Sequence, residues 1–86
     1  MKQFTYTIVD PLGIHARPAG LLARYAREFA DTEVTIRKKE AEVKATQLMR
    51  LMSLGIKQGD EITVAAEGAN EEQAIEAMKR FFTENL

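Results

Sequence analysis

The chain has 86 residues, 45% hydrophobic and 29% charged, with a formal net charge of −1 at neutral pH. That length supports one domain with a single core, and that balance excludes a disordered chain and gives no electrostatic reason to bind nucleic acid or an anionic membrane. Cysteine is absent, no run approaches the ~18 apolar residues of a membrane span, and "MKQFTYTIVDP" lacks the apolar centre of a signal peptide, so disulfides and thiolate metal sites are excluded and a reducing cytoplasm is expected.

In chain order, Phe4, Tyr6 and Ile8 alternate with threonines, the period-two pattern of a strand covered on one face. A helix starts near Ala16 and sets Leu22, Tyr25, Ala26 and Phe29 on one stripe. Val34 and Ile36 flank Thr35, and Ala41, Val43 and Ala45 alternate with Glu42 and Lys44, which predicts two further strands. A short helix over about Gln47 to Leu54 ends at Gly55, a residue suited to a left-handed cap. Ile62, Val64 and Ala66 mark a fourth strand. Asn70 then reads as an N-cap with Gln73 as its capping-box partner, opening a helix whose stripe is Ala74, Ile75, Met78, Phe81 and Phe82. The order is β-α-β-β-α-β-α. It predicts an α+β open-faced sandwich over residues 1–86, a four-stranded antiparallel sheet with three helices on one face.

The short helix has more apolar residues than one stripe can hold: Leu48, Met49, Leu51, Met52 and Leu54. Leu51 and Leu54 read as core. Leu48 and Met49 are open between core packing and a partner-binding patch, a use to which adaptable methionine is suited.

"GIHARPAG", Gly13 to Gly20, contains the only histidine, His15. A lone histidine is by default a hydrogen-bonded or surface residue without chemistry. A metal site finds no second histidine and only Asp10 nearby, and no serine stands at a Gly-flanked turn to form a hydrolase triad. The neighbours favour another use. A helix N-terminus exposes unpaired N–H groups and the positive dipole end, and Arg17 sits there against the dipole unless an anion joins it. Pro18 fixes the entry into the helix and Gly13 permits a tight turn before it. Imidazole, N–H groups and guanidinium together fit a phosphoryl group, held covalently on a nucleophilic ring nitrogen.

These residues, with "LMRLMSLGI", "KQGDEITVAAEG" and "NEEQAIEAMKRFF", resemble the HPr family end to end. Its members are histidine-containing phosphocarriers of the bacterial phosphoenolpyruvate-dependent sugar phosphotransferase system. The resemblance implies His15 as the residue phosphorylated, on Nδ1, with Arg17 beside the phosphoryl group and the Ala16 and Arg17 N–H groups pointing at it. It implies a monomeric, stoichiometric carrier, not an enzyme, with no cofactor and no metal. Enzyme I would be the donor and sugar-specific IIA proteins or domains the acceptors. They would bind a face of Ala16, Gly20, Leu21, Arg24, Arg27, Leu48, Met49, Arg50 and Met52.

The chain departs from the family in four places. Leu12 stands where a small polar residue is usual, which removes one hydrogen bond near the phosphoryl group. "FADTEV" looks one residue longer than usual, and "RKKEAEV" lacks the Asn-Gly that closes the family's hairpin. Gln47 occupies the position of the serine that an ATP-dependent kinase phosphorylates in Gram-positive members. Two other functions remain: an HPr-like regulatory protein acting through binding alone, and a passive anion-binding module with an inert His15.

Overall fold

Alternating apolar and polar residues make four strands, and the amphipathic runs between and after them make three helices. The computed structural model describes residues 1–29 and 31–86. Its elements are β1 (Lys2–Thr7), α1 (Ala16–Arg27), β2 (Thr32–Lys38), β3 (Ala41–Lys44), α2 (Leu48–Ser53), β4 (Glu61–Gly68) and α3 (Glu71–Asn85). The sheet order is β1-β4-β2-β3 and every neighbouring pair is antiparallel. The expected fold class is therefore the observed one.

The register explains the one-sided core. Val64 in β4 lies opposite Phe4 in β1 and Ile36 in β2, so the apolar positions of three strands form one row. Val34, Ile36, Ile62, Val64 and Ala66 are buried beneath the helices, while Glu33, Glu42 and Glu67 stand exposed on the open face. From α3 all five stripe residues, Ala74, Ile75, Met78, Phe81 and Phe82, are buried as their spacing predicts. Phe82 is the centre: its ring meets Phe4, Tyr6 and Phe81 edge to face at centroid distances of 6.1, 5.6 and 5.8 Å. Burying such a side chain contributes ~2–3 kcal/mol, with a further ~1 kcal/mol for each good aromatic pair. No helix among the described residues is long and apolar enough to cross a membrane.

Several local expectations need correction. In α1 the buried set is Pro18, Ala19, Leu22, Ala23 and Ala26. Tyr25 stays largely exposed, although its ring still packs edge to face on Phe81 at 5.5 Å, and Phe29 lies beyond the helix, half-buried. The helix buries Leu22 and its small residues, not its aromatic one, and packs on α2 and α3. The capping box does not form. Asn70 makes no side-chain cap; its N–H donates to Thr32 Oγ1 at 2.8 Å, and Glu71 Oε1 accepts from Gly68 N–H at 3.3 Å instead. α2 spans Leu48–Ser53, one residue shorter at each end than the expected Gln47 to Leu54; Leu51 is fully buried and Leu54 only half-buried. The expectation of an extra residue in "FADTEV" includes Ala30, outside the described residues.

The β2–β3 hairpin turns without Asn-Gly. Lys39 takes the left-handed conformation there, at φ 56, and is the one non-glycine residue with positive φ among those described. Steric clash of a Cβ in that region costs ~1–2 kcal/mol, and glycine escapes it at some entropic cost in the unfolded chain. Lys39→Gly should therefore stabilise the fold by about 0.5–1 kcal/mol, read as a higher urea midpoint with an unchanged slope.

Candidate functional site

The path from β1 to α1 is fixed almost wholly by backbone. Val9 and Asp10 both donate their N–H groups to the Leu86 carbonyl oxygen, at 2.6 and 2.8 Å. Asp10 then folds the next turn: its Oδ1 accepts Leu12 N–H at 2.8 Å and its carbonyl accepts Gly13 N–H at 2.9 Å. Gly13 adopts φ 66, and a Cβ there would run into the Ile56 carbonyl and the Lys57 α-carbon. Only glycine meets both demands, the positive φ and the close approach. Ile14 follows, buried, with its N–H donating to Ile56 O at 3.1 Å. His15 is thus placed by a turn it takes no side-chain part in.

His15 is the N-cap of α1, with extended backbone (φ −106, ψ −174) and no side-chain cap bond, so its imidazole is not spent on the helix. Its carbonyl accepts the first helical bond, from Ala19 N–H at 2.9 Å. Pro18 sits inside the first turn, where its missing N–H removes a donor that the helix would have left unpaired. Ala16 and Arg17 keep theirs, and among the described residues no backbone or side-chain acceptor takes either one. Arg17 and Ala16 are exposed, His15 is half-buried, and no described acidic residue pairs with the Arg17 guanidinium. With no acid in its first turn, α1 carries an uncompensated positive end. Chemically this is a nucleophilic ring beside two N–H groups and a free cation.

The other expected residues distribute along α1 and α2, which pack on one another. Gly20 and Leu21 are half-buried; Arg24 and Arg27 are exposed in the last turn, where they complement the dipole. Gly20 has no atom within 4 Å of where a Cβ would be, so nothing inside the fold requires glycine there. On α2, Met49 is 78% exposed, Met52 39% and Leu48 36%, so three large apolar side chains of one short helix face solvent. Arg50 lies apart from them, lining a groove with Gln47, Glu42 and Lys44 at the β3 edge. Gln47 is exposed at the N-cap of α2 and makes no side-chain cap. Leu12 is 72% exposed in the loop before His15. A groove of about 520 Å³ near the end of α1, lined by Arg27, Asp31, Glu33 and Lys44 among others, contains neither His15 nor Arg17. The contributions of Ile56 and Leu86 are invisible in sequence, because each acts through a carbonyl that every residue possesses.

A family model described as "PTS HPr component phosphorylation site" matches residues 2–84. The phosphocarrier protein HPr of Mycoplasma genitalium is 42% identical over 85 residues, covering 99% of this chain and 97% of that one. A solved histidine-containing phosphocarrier protein of Mycoplasma gives a TM-score of 0.92 at 37% identity, over 96% of this chain and 93% of that one. The Bacillus subtilis catabolite-repression protein Crh, solved as a swapped, intertwined dimer, gives 0.77 at 32% identity, over 100% and 98%.

The loop makes a direct claim on Gly13. Gly13→Ala should destabilise the protein by at least about 2 kcal/mol, combining the left-handed backbone penalty with forced separation from Ile56 and Lys57. Urea unfolding measures it; a loss under about 0.5 kcal/mol would show that the two backbones need not touch.

Proposed function

The chain belongs to the HPr family of phosphocarrier proteins, and from that premise we propose that it takes a phosphoryl group from phospho-enzyme I onto His15 and passes it to IIA proteins or domains, in the cytoplasm, for coupled sugar uptake and phosphorylation. Neutral His15 attacks phosphorus through Nδ1. The N–P bond forms as the bond to the donor breaks, the electron pair leaving with the donor, and the ring keeps its proton on Nε2. Transfer to a IIA acceptor reverses these changes, so the protein ends as it began and acts as a stoichiometric carrier. The Ala16 and Arg17 N–H groups and the Arg17 guanidinium meet the charge on the phosphoryl oxygens. The observation that carries the reading is the combination at one helix end: a histidine free of any cap bond and, among the described residues, two N–H groups without acceptors and an arginine without an acidic partner.

The partner face in this reading is Ala16, Gly20, Leu21, Arg24 and Arg27 of α1 with Leu48, Met49 and Met52 of α2, and Arg50 at its margin. Exposed apolar side chains flanked by cations suit an acidic partner with an apolar centre. The working unit is the monomer. Gln47 carries no hydroxyl, so the family's serine switch has no acceptor at that position. A regulatory protein that binds without transferring is the second reading, favoured by the likeness to Crh, a protein described by its part in catabolite repression.

Incubation with enzyme I and phosphoenolpyruvate separates the two. Transfer adds one acid-labile, base-stable phosphate by intact mass; a protein that takes none is a binding module. His15→Ala should accept no phosphate while its stability changes by no more than about 0.5 kcal/mol, since the side chain makes no structural bond. Met49→Glu should leave stability within the same margin, because Met49 is 78% exposed. It should weaken docking of both enzyme I and IIA by about tenfold, as a charge is buried without a partner. A sharp fall in melting temperature for Met49→Glu would place that side chain in the core.

A further inference from the structure

α2 has six residues, well under the length at which a helix holds its shape unaided in water. Gln47 gives it no side-chain cap, and Leu51 is its only fully buried side chain. Leu54 at its C-cap packs on the core but is only half-buried, so these apolar contacts set the depth of the short helix more firmly than its tilt and rotation. Polar bonds at the C-terminal end supply what they do not. Lys38, the last residue of β2, donates from Nζ to the Gly55 carbonyl at 2.8 Å. The same ammonium pairs with Asp60 Oδ2 at 2.8 Å. Asp60 in turn accepts Lys57 N–H on that oxygen, at 2.8 Å. One ammonium therefore joins the end of β2, the end of α2 and the turn that enters β4. Both side chains are partly shielded, at 20% and 29% exposure, and the Lys38 bond holds the Asp60 carboxyl below the usual carboxylate range. Hydrogen bonds to charged groups are stronger and more directional than neutral ones. The next residue, Ile56, carries the carbonyl that fixes Ile14, so the clip also ties α2 to the loop before His15.

On the reading of this chain as a phosphocarrier, we propose that Lys38 and Asp60 are positioning residues, which hold α2 in one orientation beside the His15 loop so that Leu48, Met49 and Met52 meet a partner already arranged. Neither touches the reacting atoms. Their effect is on docking: a helix free to tilt is ordered only when the partner binds, and that ordering is subtracted from affinity. Chemistry within the docked complex is unchanged.

The test is steady-state phosphoryl transfer from enzyme I to a IIA acceptor with this protein varied, beside amide hydrogen exchange at Leu54 and Gly55. Lys38→Met should raise KM about three- to tenfold and Asp60→Asn by less, about two- to threefold, with kcat within about twofold in both. The double variant should be no worse than Lys38→Met alone, which already removes both bonds of the ammonium, whereas Asp60→Asn leaves the one to Gly55. Lys38→Arg, which keeps charge and donors, should recover most of the loss. Exchange at Leu54 and Gly55 should speed up in Lys38→Met while the β4 amides keep their protection. If Lys38→Met does not fold, Asp60→Asn carries the same test with a smaller perturbation. Unaltered KM in a folded Lys38→Met overturns the proposal, as does a fall in kcat and kcat/KM together that Lys38→Arg fails to recover. Wild-type protein that accepts no phosphate overturns the phosphocarrier reading instead. In that event the exchange data still decide whether the clip holds α2, and equal protection in wild type and Lys38→Met rejects it.

Discussion

Residues Gly55 to Asp60 connect α2 to β4, and several of their polar groups hold other segments of the chain. Ile56 O takes Ile14 N–H, Gly59 N–H reaches Ile8 O, Ile8 N–H reaches Asp60 O, and Gln58 Nε2 reaches Val9 O at 3.0 Å. These bonds fasten both ends of the loop that precedes His15. Lys38 fastens the other side through Gly55 and Asp60. Each neutral bond contributes only ~1 kcal/mol net, but together they remove the freedom of two otherwise independent pieces of chain. The His15 loop and the exposed apolar helix are held relative to one another because both are tied to this one connection. Gly13 is the most constrained point of contact, since the approach of its backbone to Ile56 leaves no room for a side chain.

The sheet supplies a rigid base for that arrangement at the expense of one open face. Three helices cover the other face, and α3 supplies most of the bulk, with Phe81, Phe82 and Met78 buried. α1 contributes Leu22 and small residues, Ala19, Ala23 and Ala26, and packs on α2 and α3 with its outer side free. α2 contributes little more than Leu51. Division of labour follows: α3 stabilises the domain, while α1 and α2 are free to display residues that the fold itself does not need. Met49 at 78% exposure and Gly20 with empty space over its Cα are both hard to justify by stability alone. A glycine in a helix interior is less stable than alanine by ~1 kcal/mol, an amount that a function in docking can justify and packing here cannot.

The elements were legible because each carries a long enough pattern. The five-residue stripe of α3 fixed its buried face, and four alternating runs fixed the sheet. Patterns fail where one residue decides. Tyr25 shares the helical spacing of Leu22 and Ala26, yet it lies at the rim and packs only edge to face on Phe81. Asn70 and Gln73 have the spacing of a capping box, yet Thr32 and Glu71 supply the local bonds, and Thr32 is 38 positions away in sequence. The site divides along the same line. "GIHARPAG" put a histidine, a cation and a proline at a helix start, which side-chain chemistry can announce. The carbonyls of Ile56 and Leu86, and the Lys38 clip across 17 positions, depend on the folded path and leave no local mark.

The spacing of the arginines bears on how a carrier of this kind would work. α1 rises ~1.5 Å per residue, so Arg24 lies roughly 10 Å along the helix from Arg17, and Arg27 roughly 15 Å. At physiological ionic strength the screening length is ~8 Å, so those two charges act weakly on a group bound at His15. Only Arg17 and the helix end remain to hold it. Dipole and charged hydrogen-bond contributions of ~1–3 kcal/mol shift transfer by one or two decades in rate. That is enough to favour acceptance and too little to trap the product. In such a carrier Arg24 and Arg27, set apart from the phosphoryl group, would instead present charge to an approaching surface, accelerating encounter without deepening the well in which the phosphoryl group would sit.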